Sequence, residues 1–336
     1  MKIKVQFTLI LLILLFLSCD KMTHGNLSEA DVTYICPPCD MSCDELMFQE
    51  DGICPHCKMS LLMLPDSSLV NDGRLIVKSG NFFFQRDASD KKWVQVFYHM
   101  PSVMDSTSRV LIVLPGAGRD GDQYRDAWSD VSESENIIVL SLKYPTETYD
   151  FGGYHMAGMI DSVRYDDDFS FVQHDDQSSW IFSDFDRIFD MVVKDNALSA
   201  ESYDIFGHSA GGQILHRYVL FHDKSKADKV VAANSGWYTL PDTTLRLPYG
   251  IKNTIVNDVS LAKSYSKKLT ILVGEKDNAS ETRGILLQTP KANQQGAHRL
   301  ERAHNFYNYN QSLSHSLNAS YHWDLHVVSG VGHDYK

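Results

Sequence analysis

The chain has 336 residues, 43% of them hydrophobic, with a formal net charge of -12. That length accommodates one large hydrophobic core plus a small satellite module, and the acidic balance excludes nucleic acid as a partner, because phosphates call for a basic surface. All six cysteines precede Lys58, so the long remainder contains no internal disulfide.

In chain order, Lys2 and Lys4 precede an apolar run from Val5 to Leu17 that is broken only by Gln6 and Thr8. A basic start followed by an apolar stretch too short for a comfortable span reads as an export signal. Phe16-Leu17-Ser18-Cys19 resembles a bacterial lipoprotein box. The resemblance implies a signal over residues 1–19, a lipidated Cys19 as first mature residue, and acyl-chain anchoring at the bacterial cell envelope, on its periplasmic or outer surface. A plain secretory signal with an incidental cysteine is the alternative. The polar residues 20–33 form a tether.

Cys36-Pro37-Pro38-Cys39 and Cys54-Pro55-His56-Cys57 follow, with Cys43 between them. Two Cys-x-x-Cys knuckles at this separation present four thiolates in the geometry of a closed zinc site. Residues 34–64 are too few to bury a useful core, so a metal or disulfides hold the module together. Cys36, Cys39, Cys54 and Cys57 are the expected ligands of a structural Zn²⁺; a soft metal such as copper and a pair of disulfides are the other readings. Tyr34-Ile35-Cys36-Pro37 and the run from Gly52 to Leu61 resemble the heavy-metal-binding domain of bacterial efflux proteins, except that Lys58 stands where that family usually has glycine. Leu64-Pro65-Asp66-Ser67-Ser68 reads as a linker into a second domain over residues 69–336.

Strands are expected at Arg74–Lys78, Trp93–Tyr98, Arg109–Leu114, Ile137–Leu142, Tyr203–Phe206, Lys229–Ala233, Leu269–Val273 and Trp323–Val328, with helical stretches between them. Alternation of this kind defines an α/β domain with a mostly parallel sheet. After the third strand, Pro115-Gly116-Ala117-Gly118-Arg119-Asp120-Gly121 is a glycine-rich loop whose backbone N–H groups can approach a ligand. It lacks the Lys-Ser/Thr ending and the glycine spacing of nucleotide-binding loops. Residues 144–202 form a long insert with room for a helix and a lid-like loop, in which Phe151-Gly152-Gly153-Tyr154-His155-Met156 is expected to be mobile.

Tyr203-Asp204-Ile205-Phe206 then runs into Gly207-His208-Ser209-Ala210-Gly211-Gly212 and a helical stretch. This is a nucleophile elbow, a strand-to-helix turn tight enough to strain the serine and present its Oγ. Serine is a poor nucleophile unless an imidazole takes its proton and a carboxylate orients that imidazole. Both partners follow in the required order: Asp277 after the strand ending at Val273, with Glu275 as its competitor, and His333 in Gly330-Val331-Gly332-His333-Asp334. His208 is expected to line the pocket, and Asp334 to stabilise its loop. The oxyanion donors are Ala210 and Ala117, with Gly118 as the alternative to the latter. After the sixth strand, Trp237 and Tyr238 fit either a pocket wall or the core.

With these motifs in place the chain from about residue 70 onward resembles the α/β-hydrolase superfamily. The stretch from Tyr98-His99-Met100-Pro101 to Tyr124-Arg125 is similar to secreted esterases of the polyhydroxybutyrate-depolymerase and feruloyl-esterase type, although Pro115-Gly116 replaces the usual His-Gly. The resemblance implies an eight-stranded α/β-hydrolase fold behind a zinc-ribbon-like module. It also implies a serine esterase acting on small or polymeric esters, with no cofactor for catalysis. A peptidase or thioesterase using the same triad, and a metal-handling surface lipoprotein with a hydrolase-fold scaffold, are the alternatives.

Overall fold

The computed structural model describes residues 33–36, 41–87, 92–160, 174 and 176–336. The export signal, Cys19, the tether and Cys39 lie outside the described residues. Among those that are described, no helix is long and apolar enough to cross a membrane.

Three short strands build the N-terminal module: β1 (Thr33–Ile35), β2 (Met47–Phe48) and β3 (Leu62–Leu64), paired antiparallel in the order β2-β1-β3. Lys58 closes the second knuckle with φ of +66°, its N–H bonded to the Cys54 carbonyl at 3.0 Å. That left-handed conformation is why glycine is the usual residue there. The module is seated on the rest of the protein, since Ile35 and Leu62 form one apolar cluster with Phe83 and Trp93 of the large sheet. Leu64 and Leu69, on either side of the expected linker, pack against the same cluster.

The large sheet begins with β4 (Ser79–Gln85) and β5 (Trp93–His99), continues with β6 (Arg109–Leu114) and, after α1 (Gly121–Ala127) and α2 (Ser129–Glu135), with β7 (Ile137–Lys143). Then come α3 (Phe182–Asp195), β8 (Tyr203–His208), α4 (Ala210–Phe221), β9 (Ala227–Ala233), α5 (Asp258–Tyr265), β10 (Lys268–Gly274), α6 (Pro290–Asn293), α7 (Arg299–Ser316) and β11 (Asp324–Val328). The strand order is β11-β10-β9-β8-β6-β7-β5-β4, and only β5 runs against its neighbours. Eight strands, mostly parallel, are what the sequence implied. Seven lie where expected within a residue or two.

The first strand is a correction: Arg74–Lys78 is not a strand, and Ser79–Gln85 occupies that place. Both segments carry apolar residues, but only the second can bury them on both faces. Phe82 and Phe84 enter the main core, whereas Phe83 meets the N-terminal module. Ile76 and Val77 stay exposed.

The main core lies on the face covered by α3 and α4. Phe182, Phe185, Ile188, Phe189 and Val192 recur at helical spacing on α3 and are buried, and every residue of α4 is buried. Register then fixes the site, because Leu114 pairs with Gly207, His208 with Ala233, and Ala233 with Leu272. These strands therefore end level with one another, and the loops that follow them open at one edge, where parallel α/β sheets bind ligands.

Candidate active site

Ser209 sits between β8 and α4 with φ of +55° and ψ of -109°, a strained conformation for a non-glycine residue. The turn closes only because its neighbours lack side chains. A Cβ on Gly207 would meet the Gly211 carbonyl at 2.5 Å, and one on Gly211 would collide with the Leu114 carbonyl. The strain projects Ser209 Oγ into a cleft of about 820 Å³.

His333 faces it, with Nε2 3.2 Å from Ser209 Oγ and Nδ1 2.9 Å from Asp277 Oδ2. The consistent tautomer has Nδ1–H donating to the carboxylate and Nε2 accepting from the serine hydroxyl. Asp277 is almost wholly buried. Its Oδ2 also accepts from Asn234 Nδ2 at 2.7 Å, and its Oδ1 from Arg299 Nη1 at 3.1 Å. Burial alone pushes the Asp277 pKa up; the His333 hydrogen bond, the Arg299 charge and the Asn234 amide outweigh it and leave the carboxyl below its ordinary value. Glu275 is not part of this constellation. Its carboxylate accepts from Ser329 Oγ and Gly330 N, stapling the start of the histidine loop.

Glu281 carries out a second staple that the sequence did not reveal. Its carboxylate accepts from the His333 N–H at 2.6 Å and from the backbone of Arg283 at 2.9 Å, and it pairs with the Arg283 guanidinium at 2.8 Å. Asp334, as expected, serves its own loop by pairing with Arg283 and accepting from the Tyr335 N–H. His208 lines the cleft with its ring centroid 4.6 Å from that of His333, and its Nδ1 accepts from Tyr124 Oη at 2.8 Å. Burial pushes its pKa down to about 3, which keeps it neutral beside the other imidazole.

Ala117, Gly118 and Ala210 line the cleft together with Ser209. The loop bearing Ala117 is pinned from behind. Tyr154 Oη donates to the Pro115 carbonyl at 2.6 Å, and buried Arg119, with φ of +57°, donates to the Tyr144 and Tyr149 carbonyls at 2.6 and 3.2 Å while stacking over the Tyr154 ring at 3.8 Å. These contacts correct the expectation that the run from Phe151 to Met156 is mobile. Tyr154 and Met156 are fully buried, and only Phe151 and His155 of that run face the cleft. Trp237 and Tyr238 divide the two roles left open for them: Trp237 walls the cleft, and Tyr238 is buried against Phe306 at 4.3 Å. The remaining wall is the segment Arg283–Gln288, in which Ile285 is almost fully exposed.

Away from the cleft, the sulfurs of Cys36, Cys43, Cys54 and Cys57 lie within 4.8 Å of one another, and the first three residues are buried. Cys36 Sγ stands 3.8 Å from Cys43 Sγ and 3.1 Å from Cys57 Sγ. A sulfur tetrahedron about 2.3 Å from a central Zn²⁺ has edges of about 3.8 Å, whereas a disulfide would require about 2.05 Å. The donor set therefore fits a metal ion. Cys43, which the knuckle spacing left aside, supplies the fourth sulfur among the described residues.

The sheet order, the elbow and the level strand ends define an α/β-hydrolase. Neither a protein-family model nor a curated protein matches the chain. Solved structures do. Poly(aspartic acid) hydrolase-1 from Sphingomonas sp. KT-1 is 34% identical over 77% of this chain and 95% of its own, with a TM-score of 0.70. LpqC, a poly(3-hydroxybutyrate) depolymerase from Bordetella parapertussis, is 26% identical over 76% and 84%, with a TM-score of 0.68. The chain belongs to the α/β-hydrolase family represented by poly(aspartic acid) hydrolase-1.

Proposed function

We propose that this hydrolase cleaves carboxylic esters through an acyl-enzyme, with Ser209 as nucleophile, His333 as base and Asp277 as the carboxylate that orients it. The observation that carries the reading is the unbroken hydrogen-bond chain from Ser209 through His333 to buried Asp277 at the floor of a cleft. His333 Nε2 takes the serine proton as Oγ attacks the carbonyl carbon, and Asp277 stabilises the imidazolium. The Ala117 and Ala210 N–H groups receive the oxyanion, each donor being worth on the order of 10²–10³ in rate. His333 then protonates the departing alcohol, and water enters by the same path in reverse.

The cleft suits an acyl group with little charge. Phe151, Trp237, Ile285, Leu286 and Leu287 face it, Arg283 is tied to Glu281 and Asp334, His155 is pushed down to about 3 by burial and by the charges of Arg119 and Arg217, and the Asp120 carboxylate on the lining disfavours an anionic acyl group. Its openness along the rim accommodates a polymer chain, in keeping with two neighbours named for polymers. Poly(aspartic acid) has amide links, so an amide-cleaving role with the same three residues is the second reading. The lipoprotein-like start supports anchoring through Cys19 at a bacterial membrane surface, and the four-sulfur cluster supports a structural Zn²⁺. Labelling with a fluorophosphonate, read alongside turnover of matched p-nitrophenyl esters and anilides, tests the catalytic reading. Ser209 alone should be labelled and esters should turn over faster; label retained in Ser209→Ala overturns the assignment.

A further inference from the structure

Buried arginines are costly, and Arg299 is costlier than its fold requires. It is the first residue of α7, where the positive end of the helix dipole disfavours a cation. Arg302, a like charge, follows three residues later on the same face and is also buried. Arg299 Nε and Nη2 are buried without a hydrogen-bond partner among the described residues, a state that native interiors rarely tolerate. Its compensation is a single contact, Nη1 to Asp277 Oδ1 at 3.1 Å, in a pair 3% and 1% exposed. A residue placed to secure α7 would use its remaining donors, as Arg302 does on the carbonyls of Gly236, Leu287 and Gly296.

We propose that Arg299 is a positioning residue of the triad, holding Asp277 as the charged partner of His333; the inference rests on the Ser209–His333–Asp277 reading above. The two Asp277 oxygens are divided between tasks. Oδ2 takes His333 and Asn234, and Oδ1 takes Arg299. Asn234, with φ of +47° at the end of β9, also donates to the Gly332 carbonyl at 3.1 Å, so it ties the carboxylate to the histidine loop. Neutral Asn234 fixes direction; Arg299 supplies charge. The guanidinium lies close to the imidazole as well. Arg299 Nη2 and His333 Nε2 are both within 3.2 Å of the point a Gly284 Cβ would occupy. That places them within about 6 Å of each other, where buried charges are little screened.

The charged and titratable groups around this dyad are His208 from β8, Tyr238 from the loop after β9, Glu281 and Arg283 from the segment after Asp277, Asp334 and Tyr335 from the histidine loop, and Arg302 from α7. Glu281 and Asp334 share the single cation Arg283 at the rim, which leaves one net negative charge there, and His208 is neutral. Arg299 is the cation in direct contact with this pair, and its charge opposes proton uptake by Asp277 and His333 as a unit.

The experiment is the pH profile of kcat/KM on p-nitrophenyl butyrate for the full chain and for Arg299→Met and Arg299→Lys. Removing the cation makes the dyad easier to protonate, so in Arg299→Met the acid limb should move up by about one pH unit. The loss should then be about tenfold greater at pH 6 than at pH 8.5, with KM nearly unchanged because Arg299 does not line the cleft. Arg299→Lys keeps the charge, so its limb should remain with the parent's. A pH-independent loss in Arg299→Met, as a merely structural residue would give, overturns the proposal. If Arg299→Met does not fold, Arg299→Lys decides: an acid limb that rises despite the retained charge overturns it. Fluorophosphonate labelling of Ser209 at pH 9 in every variant separates the two ideas, since an unlabelled parent enzyme would refute the triad itself.

Discussion

Gly284 lies directly against His333: a Cβ built on it would stand 2.7 Å from Cδ2 and 2.8 Å from Nε2 of the imidazole. Its φ is +67°, so the position requires glycine for backbone reasons as well. Gly284→Ala should push the imidazole off the Ser209 line and lower kcat/KM by about 10²-fold, the scale of a ~1 Å misplacement. Backbone strain of about 1 kcal/mol should lower Tm by only a few degrees. Activity within twofold of the parent would show that His333 does not need its present position.

Asp277→Asn should reduce kcat on activated esters by about 10⁴, because the amide favours the wrong imidazole tautomer. Glu275→Gln should cost less than tenfold, since its contacts stop at Ser329 and Gly330. Steady-state kinetics of the two variants settles the order, and a larger loss in Glu275→Gln would reassign the acid.

Acid should destabilise the fold through its buried imidazoles. His216 Nε2 accepts from the Thr239 N–H at 2.9 Å, so it must stay unprotonated, and burial depresses its pKa well below the ordinary value. His208 is pushed down to about 3. Both folded-state values lie below the unfolded one of about 6.5, so the unfolded chain binds more protons between those limits and stability falls as pH falls from 6.5 towards 3. Each such histidine contributes a slope of about 1.4 kcal/mol per pH unit. Urea unfolding at pH 7 and pH 5 measures it, and His216→Gln should flatten the slope even though it lowers stability at pH 7. An unchanged slope would mean that His216 is charged in the fold.

The full mature chain should hold about one Zn²⁺. Cys43→Ser should lose it, because among the described residues the Cys43 sulfur stands with those of Cys36, Cys54 and Cys57 within 4.8 Å of one another. Chelation should also be felt beyond the module, because Phe83 and Trp93 are buried beneath Ile35 and Leu62. Tryptophan emission should shift to the red and Tm should fall, at about 2–4 °C per kcal/mol lost, while turnover of small esters persists. Metal retained in Cys43→Ser, or turnover abolished by chelation and restored by zinc, would count against this arrangement.

Expressed with its own start, the chain should partition with membranes and incorporate labelled fatty acid, and Cys19→Ala should release it. Fatty-acid labelling that survives the substitution would rule out Cys19 as the anchor.

Most of the fold was legible, and the three residues of the proposed triad could be named, because each depends on local pattern. A short apolar run between turn signals is consistent with a buried strand, and Gly207-His208-Ser209-Ala210-Gly211 closes as an elbow because its glycines touch backbone. Asp277 and His333 could be proposed as its partners because they follow strands whose ends the apolar runs already mark. Partners were another matter. Ser79–Gln85 displaced Arg74–Lys78 because a strand with apolar side chains on both faces gains only when something covers each face, and the cover here includes the N-terminal module. Cys43 entered the sulfur cluster from outside the spaced knuckles because the chain folds back on itself. Arg299, Asn234, Glu281 and Arg119 carry no motif, for their roles come from hydrogen bonds and charges that span 22 to 98 residues of sequence. Local sequence determined which groups were present and how the backbone presented them; only the packing of distant segments decided which charges met, and in a buried site that pairing governs how those groups behave.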